Sequence, residues 1–596
     1  MRRPVAIFAA LAVTLALLAL SRHLLLITPA ADATYTRRAV LLTASSWSAS
    51  KVDLRTAIED ATYTASADYT LAVPAIDLGD GWQTTLQIQN TGQVATSARI
   101  EFFSAADTEC PATREPMAVH CIGPIPAGAV HTFDIGNDPT LAAVRSAIVH
   151  SAQPEEAGCG SIAGEPLAML VRRTWVDNGE APQIASSTYV GIAPAVAGFW
   201  DADQEAYVTV IPWVETSDTS QTTLYLQNIS LQCTGEIELK LLSGPRCLPM
   251  QGTLPAIPPG HSLRVNMANE FADDFSGSVW IRSPQPLAVM VDRWLDDGTL
   301  LSTHATGRGA GHQTIDAPLI LQDNSGWNAT LRNQNVSARF PALVEMTYRT
   351  SEITPTLESE SFVCLGGSVS IDTGTVTELA SPFTGTVALR SLGLDPEQSE
   401  VPPLAADIDL LHAGGGAAYH APNRITGTLS TPDLALPWLT RAYHPVTATP
   451  SLTYTSRIAV VNQSEAGDGF VSLAFYDPDG SLTTYQPETP LGPRAMRMID
   501  LADVSDLPAG WHGSAVLQFL STQPGASVAV AVLDTAPGAP GDAATAYAGI
   551  VTSVQAQPTP TPAPTPTATA MPEPTATPTA PQPTSVPDTY LPLLRR

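Results

Sequence analysis

Lysine is almost absent from this sequence, and Lys51 and Lys240 are the two that occur in 596 residues. Charged residues make up 14% of the chain, and 29 basic residues against 57 acidic ones give a formal net charge of −28. Because binding to nucleic-acid phosphates needs a surface rich in Lys and Arg, this composition argues against a nucleic-acid partner. It also argues against docking on anionic lipid. We expect an acidic surface that resists association.

Sequence motifs for catalysis and for metal binding are missing as well. The chain has no nucleophile elbow, HExxH pair, P-loop or kinase signature. The Gly-rich stretch GRGAGH at 307–312 does not follow a strand and open a helix, so it predicts a linker. No cysteines have CxxC spacing, which argues against a cysteine zinc site. We therefore predict a protein that is not an enzyme and has no cofactor or metal.

Two acidic stretches could supply oxygen ligands to calcium. They are YDPDGS, with Asp477 and Asp479, and DADQE, with Asp201, Asp203 and Glu205. Alternating carboxylates suit Ca²⁺, but the distal Glu of an EF-hand loop is missing. Asp-Gly between strands is ordinary turn chemistry, so we favour turns at both places.

The N-terminus has the pattern of an export signal. A basic start, MRR, precedes Val5–Leu20, a run of apolar and small residues with one Thr. Ala31 and Ala33 then form a small-residue cleavage site. Arg22 and His23 interrupt the apolar stretch and favour cleavage, and an uncleaved membrane anchor is the alternative. We expect an extracellular or cell-surface protein that touches a membrane only if this segment is retained.

Six cysteines occur in the exported part of the chain, and an oxidising compartment favours disulfides between them. The candidates are Cys110, Cys121, Cys233 and Cys247. Cys233 and Cys247 flank a strand-and-turn stretch that can bring them together, and the other two are spaced similarly. Cys159 competes for either pairing, and Cys364 has no evident partner.

Four segments of the chain share a beginning. They are GWQTTLQIQN (81–90), SQTTLYLQN (220–228), GWNATLRNQN (326–335) and the weaker TSRIAVVN (455–462). The spacing is too long for a solenoid and suits whole domains of about 100 residues. The asparagine that ends each segment is expected to bond locally in a turn, because Asn favours turn conformations.

Each copy continues as a series of short strands. Apolar and polar residues alternate, a Pro/Gly turn follows in most copies, and Asn-Gly or Asp-Gly ends the first two. Six or seven short strands with almost no helix predict an antiparallel β-sandwich, so the fold class is all-β with tandem sandwiches. The copies resemble the immunoglobulin-like sandwich modules of exported bacterial proteins, and the resemblance covers about residues 70–550.

These patterns divide the chain into a row of separately folded segments. We predict a signal peptide at 1–33, a leader at 34–70, β-sandwich repeats at 71–198, 199–308, 309–427 and 428–550, a disordered Pro/Thr-rich stalk at 551–588 and a C-terminal tag at 589–596.

Tryptophans recur near the strand ends. Trp82 and Trp327 open a strand, and Trp175 and Trp294 end one. Exposed rings of this kind stack on sugars, so Trp82 and Trp327 are candidate ligand-facing aromatics. Burial energetics favour the alternative that they pack in the core or at an edge.

The chain ends in a stalk and a short tag. Residues 557–587 hold 11 prolines, with Thr and Ala in most of the gaps, and cannot build a core. The last residues resemble tags that follow Pro/Thr spacers in exported proteins of filamentous bacteria. The residues of this candidate sorting tag are Tyr590, Leu591, Pro592, Arg595 and Arg596.

Together these features favour an exported structural or adhesive protein. The alternatives are a carbohydrate-binding module array, an accessory subunit of an extracellular enzyme, and an unrecognised extracellular hydrolase. The expected partner is a cell-envelope component, a glycan or another surface protein, and not nucleic acid.

Overall fold

A computed structural model describes most of the chain between residues 68 and 552. The signal segment, the leader up to residue 67, the stalk and the terminal tag lie outside the described residues. Within 68–552 the gaps are 107–109, 111–114, 156–157, 161–163, 178–182, 195, 202–203, 244–247, 271–273, 351–356, 395–399, 414, 423–432, 445–451, 522, 524–525, 537–540 and 543.

Sandwich 1 is built from two antiparallel sheets with strand orders β1-β6-β3-β4 and β5-β2-β9-β10. Leu86, Ile100, Val149 and Val171 fill the core between them. The strands are β1 (Thr70–Val73), β2 (Trp82–Asn90), β3 (Thr96–Ser104), β4 (Ala118–Ile125), β5 (Val130–Asp134), β6 (Val144–Ala152), β7 (Pro154–Glu155), β8 (Gly158–Cys159), β9 (Leu167–Asp177) and β10 (Gln183–Val190).

Sandwich 2 repeats this strand order as β12-β17-β14-β15 and β16-β13-β18-β19. The hairpin pair Thr216↔Gln221 joins its two sheets. The elements are β11 (Phe199–Asp201), β12 (Ala206–Thr216), β13 (Ser220–Asn228), β14 (Ile237–Ser243), β15 (Pro249–Leu254), β16 (Ser262–Asn266), helix α1 (Met267–Glu270), β17 (Phe275–Ser283), β18 (Leu287–Leu295), β19 (Leu300–His304) and β20 (Thr306–Gly307).

Sandwich 3 has the orders β21-β26-β23-β24 and β25-β22-β27-β28. Its strands are β21 (Thr314–Gln322), β22 (Asn328–Asn335), β23 (Ala342–Arg349), β24 (Leu357–Val363), β25 (Ser368–Asp372), β26 (Phe383–Leu392), β27 (Leu404–His412) and β28 (Gly415–His420).

Sandwich 4 has the orders β29-β34-β31-β32 and β33-β30-β35-β37, with β38 beside β29. Its strands are β29 (Leu434–Arg441), β30 (Thr455–Asn462), β31 (Gly469–Tyr476), β32 (Leu482–Tyr485), β33 (Met496–Asp500), β34 (Trp511–Ser521), β35 (Val528–Thr535), β36 (Gly541–Asp542), β37 (Ala544–Ala548) and β38 (Ile550–Val551).

The common strand order confirms the all-β, tandem-sandwich fold class. Helical structure in the described residues is limited to α1 and to short 3₁₀ turns. These turns are Ile135–Asn137, Pro139–Leu141, Arg308–Ala310, Thr373–Thr375 and Leu501–Asp503. Among the described residues, no helix is long and apolar enough to cross a membrane.

A proline interrupts or ends the first long strand of every sandwich, at Pro74, Pro212, Pro318 and Pro437. The strand register breaks across the last three of these positions. Proline has no backbone N–H for the strand ladder, so it fits such a bulge. A buried tyrosine fixes the next residue in sandwich 3, where the Tyr419 hydroxyl donates to Leu319 O at 2.8 Å and accepts from Leu319 N at 3.2 Å. Tyr189 and Tyr547 do the same in sandwiches 1 and 4.

The four sandwiches pack as one compact unit and not as separate beads in a row. The last long strand of each sandwich contacts the corresponding strand of two neighbours, in the cyclic order β10, β19, β28, β37 and back to β10. β36 of sandwich 4 also pairs in parallel with β10 of sandwich 1, with Ile184 opposite Gly541. The sandwiches therefore form a closed ring, whose boundaries we call 1/2, 2/3, 3/4 and 4/1.

Candidate functional site: the boundaries between sandwiches

The asparagine at the end of the second strand ties two loops together within each sandwich. Asn228 Nδ2 donates to Gln232 O at 2.6 Å and to Ile257 O at 2.8 Å, and its Oδ1 accepts from Ser230 N at 3.0 Å. Asn90, Asn335 and Asn462 make the same three contacts. All four side chains are buried. The local bonding expected of these residues is confirmed.

The glutamine just before this asparagine reaches across a boundary. Gln227 Nε2 donates to Ala147 O of sandwich 1 at 3.0 Å, and Gln89 Nε2 donates to Ala515 O of sandwich 4 at 3.1 Å. The Gln334 amide lies between Ile211 O and Trp280 Nε1 of sandwich 2. The Nε2 atoms of Gln89 and Gln227 also donate to Gly128 O and Gly260 O of their own sandwiches at 3.0 Å, so the repeated Gln links its own turn to the neighbouring sandwich, whereas Asn bonds to its own loops.

The turn before the fifth strand is a second docking point. Gly128, Gly260 and Gly366 occupy equivalent positions there, with φ of 77°, 83° and 67°. Each carbonyl accepts a serine hydroxyl from the preceding sandwich in the ring, at 2.8–3.0 Å, from Ser514, Ser146 and Ser278 respectively.

Aromatic side chains also press on these turns. A Cβ atom at Gly128 would overlap Tyr476, and one at Gly260 would overlap Phe103. At Gly366 it would lie 3.3 Å from Trp280. Glycine is therefore required at this position for two reasons, its positive φ and the close approach of the preceding sandwich.

The 3/4 boundary replaces these contacts with apolar packing and one charged residue. Val461 stands where the other sandwiches have glutamine, and one apolar cluster spans sandwiches 3 and 4. Arg494, with φ 59°, takes the position of the turn glycine. Its Nη1 lies 3.5 Å from Asp316 Oδ1 of sandwich 3.

Charged groups are buried at the 1/2 boundary. The Arg173 side chain has no exposed surface and contacts Asp292, Asp77 (2.8 Å) and Ser302 (2.9 Å). Burial lowers the pKa of Arg173, but the carboxylates of Asp292 and Asp77 outweigh it and raise that pKa well above its usual value. Arg173 therefore stays charged while joining sandwich 1 to sandwich 2.

The 2/3 boundary repeats this arrangement. Arg293 Nη1 lies 2.6 Å from Asp409 Oδ2 of sandwich 3, and Arg332 Nε lies 3.0 Å from the same oxygen. Burial raises the pKa of Asp409, but the two arginines outweigh it and lower that pKa below its usual value. Nearby, buried His420 Nδ1 lies 2.6 Å from Asp407 Oδ1, and Thr303 of sandwich 2 donates to Asp407 Oδ2 at 3.1 Å.

At the 4/1 boundary the two charges are exchanged, since sandwich 4 supplies the acidic residue and sandwich 1 supplies the arginine. The Arg172 guanidinium of sandwich 1 lies 4.4 Å from the centroid of the Tyr454 ring of sandwich 4. Close by, fully buried Asp534 accepts from Thr440 Oγ1 at 2.6 Å and from Ser456 Oγ at 3.0 Å. Burial raises the pKa of Asp534, and Arg172 acts in the opposite direction.

These charges occupy equivalent positions on the strand that pairs with the repeated segment. The residue opposite the repeated Asn is Leu167, Leu287, Leu404 or Val528. The first position, five residues later, is occupied by Arg172, Asp292, Asp409 or Leu533. The second position, one residue further, is occupied by Arg173, Arg293, Leu410 or Asp534. Each boundary thus combines the second position of one sandwich with the first position of the next one in the ring.

The disulfides differ from the local pairings expected from sequence. Cys110 pairs with Cys233, which joins sandwich 1 to sandwich 2 with a Cα–Cα distance of 6.0 Å. Cys121 pairs with Cys159, with a Cα–Cα distance of 5.4 Å. Pairing of Cys110 with Cys121 and of Cys233 with Cys247 is therefore wrong, because Cys110 meets Cys233 across the 1/2 boundary and Cys121 meets the competing residue Cys159 within sandwich 1. Cys364 is also disulfide-bonded, and Cys247 lies outside the described residues.

The tryptophans pack on other rings. Trp82 and Trp175 of sandwich 1 meet Trp294 of sandwich 2 edge to face, with centroids 5.9 and 6.2 Å apart. Trp327 lies 5.2 Å from the His412 ring. All four tryptophans are half-buried. A ligand-facing role for Trp82 and Trp327 stays a prediction.

Both acidic stretches make ordinary protein contacts. Asp201 pairs with Arg308 at 2.5 Å, Asp477 accepts from Trp511 Nε1, and Asp479 accepts from Ser481 N at 2.9 Å. Among the described residues, no group of three or more His, Cys, Asp or Glu could hold a metal ion. Asp203 and the candidate tag, Tyr590 to Arg596, lie outside the described residues.

The boundary residues were missed at the sequence level, although two signals point to them. Glutamine recurs before the repeated Asn in three copies, and VRR and VDR place charges in otherwise apolar strands. A charge in a strand buried on both faces requires a partner, which a neighbouring sandwich supplies here.

Comparison with known proteins adds little. No protein-family model matches this chain, and no curated protein matches it either. A solved structure described as the tetra-tandem repeat in the extending region of a large adhesion protein aligns with 82% of this chain and 97% of its own. Its sequence identity is 12% and its TM-score is 0.09, so this likeness carries no argument.

Proposed function

We propose that this protein is an exported, non-enzymatic protein of structural or adhesive type, displayed at the cell surface or shed into the medium. The Cys110–Cys233 disulfide carries the proposal. Disulfides that join separate parts of a fold form and persist in oxidising compartments and are rare in the cytosol. The Cys121–Cys159 pair supports the same conclusion.

The use of the buried polar residues supports a structural role. Gln227, Arg173 and Arg293 each bond to a neighbouring sandwich, and Asn228 bonds to its own loops. Such contacts hold one sandwich on the next, so the ring serves as a rigid head. A rigid head suits a protein that bears load or presents a surface.

The stalk and tag complete the proposal. In this proposal the Pro/Thr-rich residues 551–588 act as a spacer, because a chain of this composition has the character of a stiff linker. The tag, with Tyr590, Leu591 and Pro592 before Arg595 and Arg596, sorts or attaches the protein. The partner is a cell-envelope component or another surface protein.

The test uses the full chain, and a variant that lacks residues 588–596, expressed in the producing cell. Surface labelling and protease shaving of intact cells measure display, and the medium is assayed for release. We expect the full chain on the surface and the variant mainly in the medium. Retention of the full chain in the cytosol would contradict export, and equal surface amounts would contradict the tag.

A further inference from the structure

The 4/1 boundary differs from the other three in how it is held. Sandwiches 1 and 2, 2 and 3, and 3 and 4 follow one another in the chain, and Cys110–Cys233 also joins the first two. Sandwiches 4 and 1 are the last and the first. Among the described residues, their boundary consists of non-covalent contacts, including the short pairing of β36 with β10.

The surfaces at this boundary are buried and apolar. Ala168, Leu170 and Val190 of sandwich 1 belong to the apolar cluster that forms the core of sandwich 4. Gln89 and Ser514 add hydrogen bonds across it. If the ring opens here, both surfaces are exposed to water, and burying them again is strongly favoured.

Two different surfaces meet at this boundary, as at every boundary of the ring. Such a contact can close within one chain, or it can be made with the same surface of a second chain at little cost. The contacts of an exchanged boundary are the same as those of the closed ring, so the second copy needs no new interface.

Charge restricts the choice of partner. Asp534 of sandwich 4 lies near Arg172 of sandwich 1. The equivalent positions of sandwiches 2 and 3 hold Asp292 and Asp409, which would place two carboxylates together in a buried site. Sandwich 1 therefore fits sandwich 4, whether it comes from the same chain or from another.

We propose that the 4/1 boundary exchanges between copies of this chain. In the resulting dimer, sandwich 4 of each chain takes the place of sandwich 4 in the other ring, where it contacts sandwiches 3 and 1 of that chain, so both rings close with the native contacts. This self-recognition is independent of the tag and of any surface partner.

The first experiment uses the full chain carrying either of two affinity tags. The two forms are unfolded together with their disulfides kept, then refolded at high and at low protein concentration. We expect dimers that carry both tags and twice the monomer mass, at a fraction that falls on dilution. Refolding to monomers at every concentration would overturn the proposal.

A tethered chain is the control. Ala185 and Asp542 are register partners of β10 and β36, so Ala185→Cys and Asp542→Cys are introduced together, and mass spectrometry of the native monomer checks that their disulfide has formed. This chain is oxidised before unfolding. We expect no two-tag dimer from it, and dimers in equal amount would mean that association uses another surface.

Charge reversal gives a second test. Arg172→Asp and Asp534→Arg each set like charges together within one chain, but a mixture offers opposite charges at both exchanged boundaries. Arginine is the natural residue at the position equivalent to 534 in sandwiches 1 and 2, where Arg173 and Arg293 stand. We expect dimers in the co-refolded mixture at least about tenfold above either variant alone, which is 1.4 kcal/mol, and from the double variant the same proportion of dimers as from the parent chain. Equal dimer amounts in the mixture and in the single variants would contradict the proposal.

Discussion

At the scale of single residues, buried polar side chains are fixed by complete sets of partners. Asn228 is the clearest case, because its amide satisfies two loop carbonyls and one loop N–H away from water. Removing such a side chain leaves those groups unpaired, which costs more than the bonds contribute in net terms. Asn228, Asn335 and Asn462 each begin an N-x-S/T sequence. They are structural residues, because their Nδ2 atoms are already hydrogen-bonded to loop carbonyls.

Asn228→Ala is expected to lower the free energy of unfolding by about 2–4 kcal/mol, because four hydrogen bonds are lost in a buried site. Chemical denaturation of the full chain measures it. Gln221→Ala is the matched control, since Gln221 is exposed on the same strand. We expect the control to stay within about 0.5 kcal/mol of the parent. A similar effect of both substitutions would mean that Asn228 does not tie the loops.

Asp534 predicts a pH effect. Its pKa is raised by burial, so the folded state holds the proton more tightly than the unfolded state. The stability that comes from this proton is complete below about pH 4, the usual carboxyl pKa, and is lost as pH rises through the higher folded value. The groups that face the Asp534 carboxyl are Arg172, Thr440, Ser456 and Trp438. The Tyr454 ring packs against the Arg172 guanidinium.

Asp534→Asn keeps the shape and acceptor of this side chain but cannot ionise. We expect its unfolding midpoint to exceed that of the parent at pH 7 and to match it near pH 3.5, because both side chains are then neutral. Denaturation at a series of pH values measures the difference. A variant less stable than the parent at pH 7 would show that the ionised form, paired with Arg172, is the stabilising one.

At the scale of elements, strands and turns follow from sequence, and docking does not. Alternating residues in TTLQIQN and TTLYLQN predicted strands, and the Pro/Gly stretches predicted turns, because both depend on local backbone preferences. The partner of a turn depends on contacts between residues far apart in sequence. The sequence around Gly260 predicted a turn, but it did not predict that Phe103 of sandwich 1 packs on this turn.

Gly260→Ala tests this docking. The alanine methyl group would meet Phe103, and the turn would hold the alanine at a positive φ. We therefore expect the free energy of unfolding to fall by about 2–5 kcal/mol. Gly510→Ala is the control, since Gly510 has φ 83° and open space around its would-be Cβ. It should lose only the backbone strain of about 1–2 kcal/mol. Thermal unfolding compares the two, and equal losses would mean that Phe103 does not press on the turn.

At the scale of the whole molecule, the sequence predicted four sandwiches but not the ring. A clue lies in LAMLV (167–171) and LAVMV (287–291), which are continuously apolar where a half-buried strand would alternate. Such runs indicate burial on both faces. Here one face packs in its own sandwich and the other on a neighbour, as Leu170 does in the core of sandwich 4. The direction of each contact, and therefore ring closure, requires the three-dimensional arrangement.

Ring closure also explains the placement of the charges. Buried ion pairs add little net stability but penalise wrong partners strongly. Arg173 with Asp292 and Arg293 with Asp409 share one polarity, the 3/4 boundary is apolar, and Arg172 near Asp534 reverses the sign. This pattern distinguishes the 4/1 boundary from the others and so fixes the order of the ring.

The most direct test of closure is a distance between the first and the last sandwich in the full-length monomer. Spin labels at Thr132, exposed on β5, and at Asp479, in the β31–β32 turn beside Pro126, report it. The closed ring predicts a distance below about 40 Å, little more than the length of one strand. A row of sandwiches would separate the labels by two intervening domains, on the order of 80 Å or more, and that result would contradict the account.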